Sequence, residues 1–502
     1  MYRKIPATMA SQHPDNANVP FWHNQAFVDT VQEIKELGIV FTDLDIDEYM
    51  WDWEGKLVDE SVIEKVLVDK FEYFKTKQLG RDKFLTYRLP NPFVETEFRL
   101  GRAFFGMLSA DSLAYKLGLH TPPIFEAILP MCESAKSLID IQEAFQEIAS
   151  LKHWLLNVQR GHLYHLEPIP LFEQVEIISH ADEILGEYLK MHEDRFGFTP
   201  KYIRVMIARS DPSLNSSNVA NVLAIKIALS RLQKFSERRE LDLYPIIGCG
   251  SLPFRGGLTP YNVDQFVDEY RGIKTVTIQS AFRYDFPLSD VQAAITKLKQ
   301  LLPHSQARVL DTKTEKLLEQ LVQIFKQNYQ SSIPTIAKIV NQVATYVPKR
   351  RERMLHIGLF GYSRGVGDIS LPRAISFTAS MYSIGVPPEI VGTGRALREL
   401  KSLGLLDVLA KHYLYFKEDY IRAGGFVNKN NLQFLIKEDS SWQNLWDDVV
   451  ELEQYFGFKM EPRTPEEQEH QELSSQILTG LKTGKNVSDL IVKAGLLRKS
   501  LG

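Results

Sequence analysis

The chain has 502 residues, a length that exceeds one small core and predicts one large barrel with additions or two to four domains. Its 59 lysines and arginines are balanced by 63 aspartates and glutamates, so no overall positive field favours nucleic acid, and an anionic ligand would need local arginines. The sequence has no apolar leader and no apolar run long enough to cross a membrane, so we expect no membrane partner. The two cysteines, Cys132 and Cys249, predict buried free thiols in a reducing cytoplasm.

Short apolar runs alternate with helical patterns through about the first 285 residues. The helical patterns have apolar residues three or four apart, as at Val222, Ile225, Leu229 and Leu232. Eight apolar runs are predicted strands, in chain order 4–11, 39–44, 83–89, 125–131, 169–175, 202–210, 243–250 and 273–282. A doubly wound sheet would alternate in the same way, but the count of eight favours an α/β fold of the (β/α)8 TIM-barrel type over residues 1–286.

The remaining residues, 287–502, are predicted to form an all-helical region packed against the barrel. The exception is the glycine-rich segment 359–374, "LFGYSRGVGDISLPRA", which fits no regular element. Because long irregular segments inside compact regions are usually functional or disordered, we predict an active-site loop there. The charged run just before it, "PKRRER" at 348–353, predicts a solvated face of a helix.

Polar residues follow six of the predicted strands. His13, in "ATMASQHPDNA", comes first, and the proline after it favours an extended backbone and therefore a loop. In a (β/α)8 barrel the loops after the carboxyl ends of the strands carry the active site. The residues in this position are His13, Arg88, Glu173, Arg209, Asp211, Arg255, Gln279 and Arg283.

Glu173 and Asp211 end the fifth and sixth predicted strands, so their carboxylates are expected to lie close together. Two neighbouring anions need a shared proton or a cation. With oxygen ligands and no cysteine or histidine beside them, the pair predicts Mg²⁺ or Mn²⁺. The alternative is a pair of surface caps or salt-bridge partners, and the sequence leaves both interpretations open.

The segment "FRGG" places Arg255 beside Gly256 and Gly257, after the seventh predicted strand. Arg283 follows the eighth, and barrels often bind phosphate on the loops after these two strands. A guanidinium matches carboxylate and phosphate oxygens with two parallel hydrogen bonds. Arginines at this rim of a chain with net charge −4 indicate an acidic, phosphorylated small substrate.

Six motifs together resemble phosphoenolpyruvate carboxylase, in particular its shorter archaeal-type branch, which the length also fits. They occur in the family's order and are "SQHPDNA" (11–17), "PLFEQ" (170–174), "MIARSD" (206–211), "FRGG" (254–257), "QSAFRYD" (279–285) and "YSRG" (362–365). Each is weak alone, whereas six in order are specific.

The resemblance implies carboxylation of phosphoenolpyruvate by bicarbonate to oxaloacetate and phosphate, through carboxyphosphate and a metal-stabilised pyruvate enolate. It implies Mg²⁺ or Mn²⁺ on Glu173 and Asp211, with His13 acting on carboxyphosphate through an imidazole whose pKa is near neutrality. It further implies a cytoplasmic homotetramer that needs little beyond the metal. Phosphate and bicarbonate would be held by Arg255, Arg283 and Arg364, and further substrate contacts are expected from Arg88, Arg209, Gly256, Gly257 and Gln279.

The chain departs from the larger enzymes of this family at three positions. Ile247 and Cys249 occupy the places of a histidine and an arginine, and Leu214 replaces a lysine after the metal-binding aspartate. Arg209 is the candidate to replace the lost charge. The reaction is therefore better specified than its acid–base groups.

Two other functions fit the same residues. One is a different metal-dependent barrel lyase that acts on 2-oxo acids through an enolate, which predicts no phosphate release. The other is a non-catalytic binding module with the helical region as a docking platform, which predicts gaps among the rim residues. An assay for oxaloacetate with and without bicarbonate separates all three.

Overall fold

Eight parallel strands form a closed barrel in sequence order, with the last strand paired to the first. The computed structural model describes residues 4–93, 95, 98–151, 163–354, 365–366 and 369–502. The predicted (β/α)8 class is therefore confirmed. The strands are β1 (Thr8–Ser11), β2 (Glu48–Asp52), β3 (Phe84–Arg88), β4 (Glu126–Leu129), β5 (Glu167–Phe172), β6 (Tyr202–Ala208), β7 (Asp242–Gly248) and β8 (Thr275–Ile278).

Apolar side chains from successive strands form a buried cluster of their own in the barrel. It includes Met9, Met50, Ile128, Ile169 and Met206, each almost completely removed from solvent. Because branched and flexible side chains of this kind fill the interior of a small barrel, the barrel is a packed core and not a pore. Ligands must therefore bind at its ends.

A buried ion-pair triad lies nearer the amino ends of the strands. The guanidinium of Arg204 donates to Glu48 at 2.7 Å and to Glu126 at 2.8 Å, and all three side chains are buried. Breaking such a pair leaves an uncompensated buried charge, which typically costs about 3–5 kcal/mol. This end of the barrel is therefore a stabilising layer, and the carboxyl ends of the strands remain for chemistry.

The predicted second strand at 39–44 was wrong, because most of that segment belongs to a helix. The helix begins at the capping box of Asp29, and its buried face includes Ile34, Leu37 and Phe41 at helical spacing. The real second strand, "EYMWD", begins and ends with acidic residues. Apolarity alone did not reveal it, since its first residue belongs to the buried ion-pair triad.

Helices between the strands form the outer layer. Helix α11 contacts both β1 and α9 and so completes this layer directly after the predicted domain boundary at 286. The helices are α1 (Thr30–Thr42), α2 (Val62–Thr76), α3 (Arg99–Lys116), α4 (Ala135–Ala149), α5 (Val175–Ser179), α6 (Ala181–Phe196), α7 (Ser210–Ser216), α8 (Asn218–Arg239), α9 (Val263–Glu269), α10 (Ser280–Tyr284) and α11 (Leu288–Leu301).

The described residues after α11 are mainly helical and pack on the barrel through α12 against α8 and α14 against α7. A pair of two-residue strands, 365–366 and 369–370, lies within the glycine-rich segment, of which residues 359–364 and 367–368 fall outside the described residues. The helices are α12 (Thr312–Gln330), α13 (Ile333–Ala344), α14 (Ala374–Ser383), α15 (Thr393–Leu403), α16 (Leu406–His412), α17 (Phe416–Gly424), α18 (Lys429–Glu438), α19 (Gln443–Phe456), α20 (Pro465–Lys482) and α21 (Ser488–Arg498).

The run "PKRRER" is not helical, and two of its arginines are buried, so the prediction of a solvated helix face was wrong. Its backbone forms a bridge to Val28, and both Arg350 and Arg351 are buried. The guanidinium of Arg350 donates to main-chain oxygens, and that of Arg351 pairs with carboxylates of α1. Clustered charge here serves interior pairing, which a sequence pattern alone does not distinguish from a surface.

Both cysteines are free and buried, as predicted. Burial raises the pKa of each thiol, that of Cys132 and that of Cys249, to about 12, so neither is a nucleophile at neutral pH. Among the described helices, none is long and apolar enough to cross a membrane.

Candidate active site

His13 lies on the loop after β1, as predicted. Its Nδ1 atom is 2.9 Å from Ser11 Oγ, and its main-chain oxygen accepts a hydrogen bond of 2.6 Å from Ser280 Oγ. Burial, followed by the positive charges of Arg88 and Arg255, lowers the pKa of His13 well below its ordinary value. The expected pKa near neutrality was therefore wrong. The imidazole is neutral at physiological pH and can accept a proton.

The loop that carries His13 is tied to the loop after β8 by two carboxylates. Asp15 Oδ1 accepts a hydrogen bond of 2.7 Å from the main-chain N–H of Ala281. Asp285 accepts from the N–H groups of Ala17 at 2.8 Å and Asn18 at 2.7 Å. These bonds hold the imidazole at the junction of the first and last strands.

Arg88 ends β3 and pairs with two carboxylates at and just after the end of β2. It makes two parallel hydrogen bonds to Asp52, at 2.8 and 2.7 Å, and a 3.0 Å ion pair with Glu54. Although burial opposes it, the charges of these two carboxylates, with a smaller contribution from Glu173, raise the pKa of Arg88. Arg88 thus links the surroundings of His13 to those of Glu173, while its own hydrogen bonds go to protein.

Arg255 is completely buried and joins its own loop, after β7, to three other loops of the rim. Its guanidinium donates to Asp15 at 2.9 Å, to Gln279 Oε1 at 2.5 Å, to Ser210 Oγ at 3.1 Å and to the main-chain oxygen of Gly502 at 2.6 Å. These bonds connect the loops after β1, β6, β7 and β8. Its predicted contact with substrate stays a prediction, beside this demonstrated role in fixing the rim.

The two glycines after Arg255 are required by the backbone. Gly256 has φ +122° and Gly257 has φ +79°, a region that favours glycine. A Cβ atom on Gly256 would stand 2.5 Å from the Cβ atom of Cys249. The close approach of this turn to the end of β7 therefore places the arginine.

Gly256→Ala is expected to destabilise the protein by more than Gly118→Ala does. Both glycines have positive φ, but a Cβ on Gly118 meets nothing within 4 Å. The difference therefore combines overpacking against Cys249, which typically costs about 1–3 kcal/mol, with the greater strain of alanine at φ +122° than at φ +73°. Thermal unfolding of the two variants measures it, and equal losses of stability would contradict the close approach.

Arg209 and Arg283, also predicted for the site, have contacts within the protein. Arg209 donates to Asn218 Oδ1 at 2.6 Å and to the main-chain oxygen of Pro253 at 3.2 Å, so it stabilises the turn that carries Arg255. Arg283 pairs with Glu36 at 3.0 Å and is completely buried. Arg283 also donates to the main-chain oxygen of Ser11 at 3.1 Å, and the hydroxyl of Ser11 contacts His13. The predicted roles of both arginines on substrate stay predictions.

Glu173 and Asp211 follow adjacent strands, since Phe172 of β5 pairs with Ile207 of β6. Glu173 is buried, and its Oε2 atom accepts a hydrogen bond of 2.8 Å from the N–H of Met131. Asp211 lies in the first turn of α7. No group of three or more His, Cys, Asp or Glu side chains suited to a metal occurs among the described residues. Two carboxylates fit Mg²⁺ or Mn²⁺, which keep several waters and take their other ligands from substrate.

A family model described as "Phosphoenolpyruvate carboxylase" matches residues 5–502 of the chain. A relative of that name from Leuconostoc mesenteroides is 41% identical over 504 residues, covering 100% of this chain and 99% of its own. Relatives of the same name from Metallosphaera sedula and Methanothermobacter thermautotrophicus are 35% and 37% identical, covering 100% and 99% of this chain and 100% of their own.

The chain belongs to the phosphoenolpyruvate carboxylase family. The resemblance seen in the six motifs is thereby confirmed, as is the enzyme class that it implied. Of the residues predicted for the site, Arg364 lies outside the described residues, as do the rest of 359–364 and residues 367–368 of the predicted loop.

Two arginines that the sequence analysis did not select lie beside the predicted residues of this carboxylase-family site. The charge of Arg373 contributes to lowering the pKa of His13, after burial and the charges of Arg88 and Arg255. Burial, followed by the positive charge of Arg373 and, more weakly, that of Arg88, lowers the pKa of Arg353. Arg373 lies in "SLPRA", a segment with no recognisable motif around the arginine. Arg353 lies in the run that was predicted to be a solvated helix face. The usable signal was their position on either side of the glycine-rich segment.

Proposed function

We propose that the protein carboxylates phosphoenolpyruvate with bicarbonate to give oxaloacetate and inorganic phosphate. The observation that carries the proposal is the position of His13, a neutral imidazole at the carboxyl end of the barrel among arginines from other loops. The pair of strands β5 and β6 is followed by two carboxylates at the same end. Such a site combines cations for anionic substrates with a base that can accept a proton. The family match over nearly the whole chain supports it.

The reaction divides into two steps. A bicarbonate oxygen attacks phosphorus, the bond from phosphorus to the enol oxygen breaks, and carboxyphosphate and the enolate of pyruvate form. The carboxyl proton of carboxyphosphate passes to a base as the carbon–oxygen bond to phosphate breaks, releasing carbon dioxide and phosphate. The enolate carbon then attacks carbon dioxide and gives oxaloacetate.

His13 is the base in the second step. A neutral imidazole accepts the carboxyl proton, and because its pKa is depressed, it returns the proton readily to the departing phosphate. Its Nδ1 faces Ser11 Oγ, which leaves Nε2 as the ring atom for the substrate. The hydrogen bonds of Arg88 and Arg255 to neighbouring segments hold the loops of the rim in place, and the proposed reaction does not require these bonds to break.

Glu173 and Asp211 would hold Mg²⁺ or Mn²⁺, which supplies Lewis-acid stabilisation of negative charge on phosphoryl and enolate oxygens. The protein contributes the orientation of these ligands. The N–H of Met131 fixes one carboxylate oxygen of Glu173, and the start of α7 places Asp211.

The proposal includes a cytoplasmic homotetramer, as the family resemblance implies. The two buried free thiols agree with a reducing compartment.

A coupled assay tests the proposed function. Purified protein with phosphoenolpyruvate, bicarbonate and Mg²⁺ is expected to form oxaloacetate. Malate dehydrogenase reduces the oxaloacetate, and the loss of NADH measures its formation. Formation of oxaloacetate should stop when bicarbonate is removed. Phosphate should appear in equal amount. Turnover of a 2-oxo acid without phosphate release would support the alternative barrel lyase, and the absence of any turnover would support a binding module.

A further inference from the structure

Three arginines in the run 350–353 have different surroundings. Arg350 donates to the main-chain oxygens of Asn16 at 3.1 Å and Ala17 at 3.3 Å, and so supports the loop after His13. Arg351 forms ion pairs with two glutamates of α1, at 3.3 and 2.7 Å. Arg353 has no hydrogen bond or ion pair with any described residue, although its Nη1 atom is buried. Two of the three charges are thus explained by the fold, and the third is not.

Arg373, on the other side of the glycine-rich segment, shares this property. Its Nη1 atom is also buried and has no hydrogen-bond partner among the described residues. Burial, followed by the positive charge of Arg373, lowers the pKa of Arg353. A guanidinium nevertheless stays charged at neutral pH, so two cations that repel each other are held with unused donors. Leaving buried charged donors unpaired is costly unless an anion completes them.

The nearby carboxylates do not supply that anion. Asp52 and Glu54 attract Arg353 through their charges, but both oxygens of Asp52 accept hydrogen bonds from Arg88, and Oδ1 also accepts one from the N–H of Glu54. Glu54 Oε2 forms an ion pair with Arg88. The backbone next to Arg353 is fixed, since the N–H of Met354 donates to the main-chain oxygen of Gly55 at 3.3 Å. Arg353 is therefore held at the rim, and none of the described carboxylates forms an ion pair with its guanidinium.

We propose that Arg353 binds the phosphoryl group of phosphoenolpyruvate, together with Arg373. The inference rests on the proposed function and adds a substrate-binding residue to it. A phosphoryl dianion has three outward oxygens and two charges, so it can accept hydrogen bonds from two guanidiniums in different planes. Bicarbonate carries one charge on a planar group and matches a single guanidinium.

The test compares Arg353→Gln with the control Lys349→Gln, which removes the same charge from an exposed side chain four residues away. Loss of hydrogen bonds to a charged group should raise KM for phosphoenolpyruvate by about tenfold to a hundredfold. The inhibition constant of inorganic phosphate should rise by a similar factor, while KM for bicarbonate stays within about threefold. Arg353→Lys keeps the charge without the planar fork and should fall between wild type and Arg353→Gln.

Thermal unfolding separates binding from a structural role. Because Arg353 has no partner among the described residues, Arg353→Gln should unfold at the same temperature as wild type or higher, and inorganic phosphate should stabilise wild type more than the variant. A clear loss of unfolding temperature without ligand, an unchanged KM for phosphoenolpyruvate, or a selective rise in KM for bicarbonate would each overturn the proposal. If wild type makes no oxaloacetate but binds phosphate through Arg353, the proposed function fails and this site stands.

Discussion

Glu173→Gln and Asp211→Asn are each expected to reduce turnover by at least about a hundredfold while leaving the barrel folded. Each change removes one of two carboxylate charges at adjacent strand ends, and Lewis-acid stabilisation by a bound cation is worth several kcal/mol, with about 1.4 kcal/mol per factor of ten. The amide oxygen of Gln can still accept the hydrogen bond from Met131, so the loop after β4 should keep its position. Steady-state kinetics with Mg²⁺ or Mn²⁺ measure the loss.

Glu176→Gln is the matched control for this pair. Glu176 is exposed, lies three residues after Glu173, and pairs with Lys326 of α12 at 2.5 Å. It should retain nearly normal turnover. Binding of Mn²⁺ to each protein, measured by electron paramagnetic resonance, should weaken in the two site variants and remain unchanged in the control. Normal Mn²⁺ affinity or near-normal turnover in either site variant would show that the carboxylates are salt-bridge partners or caps.

His13→Asn is expected to reduce oxaloacetate formation by about 10²–10⁴-fold, the usual effect of losing one positioned acid–base group. Because His13 is assigned to the step after phosphoryl transfer, release of phosphate should fall less than formation of oxaloacetate. The stranded enolate would then be protonated to pyruvate, so the ratio of pyruvate to oxaloacetate should rise. Chromatographic measurement of both products with a phosphate assay gives this ratio.

The exposed His304, between α11 and α12, provides the control substitution His304→Asn. It should leave rate and product ratio unchanged. Equal loss of phosphate and oxaloacetate in His13→Asn would instead place the imidazole in binding or in the first step.

The barrel could be predicted from the sequence because seven of its strands are apolar runs, and local patterns identify such runs. The second strand could not, since "EYMWD" carries charges that only the interior of the barrel explains, through the pairing of Glu48 with Arg204. The apolar run chosen instead, 39–44, lies largely on a helix whose buried face gives the same composition. The composition of a short segment does not distinguish a buried strand from the buried face of a helix when its distant contacts are unknown.

The rim residues followed from the rule that chemistry lies at the carboxyl ends of barrel strands, and the structure places His13 and Glu173 there. The partners of the arginines did not follow from it. Arg255 meets Asp15 across 240 residues of sequence, and Arg283 meets Glu36 across 247. Whether a guanidinium faces a ligand or a buried carboxylate is decided by such long-range contacts. Arg353 could not be predicted for the same reason. It differs from Arg350 and Arg351 only in lacking a hydrogen-bond or ion-pair partner among the described residues, and the sequence does not show partners.

The transfer of oxygen from bicarbonate to phosphate tests the central claim most directly. Wild-type protein is incubated with unlabelled phosphoenolpyruvate and bicarbonate labelled with oxygen-18, and the released phosphate is analysed by mass spectrometry. If a bicarbonate oxygen attacks phosphorus, each phosphate carries one labelled oxygen while oxaloacetate accumulates. Phosphate without label, or phosphate labelled only from labelled water, would contradict attack by bicarbonate and with it the role assigned to this end of the barrel.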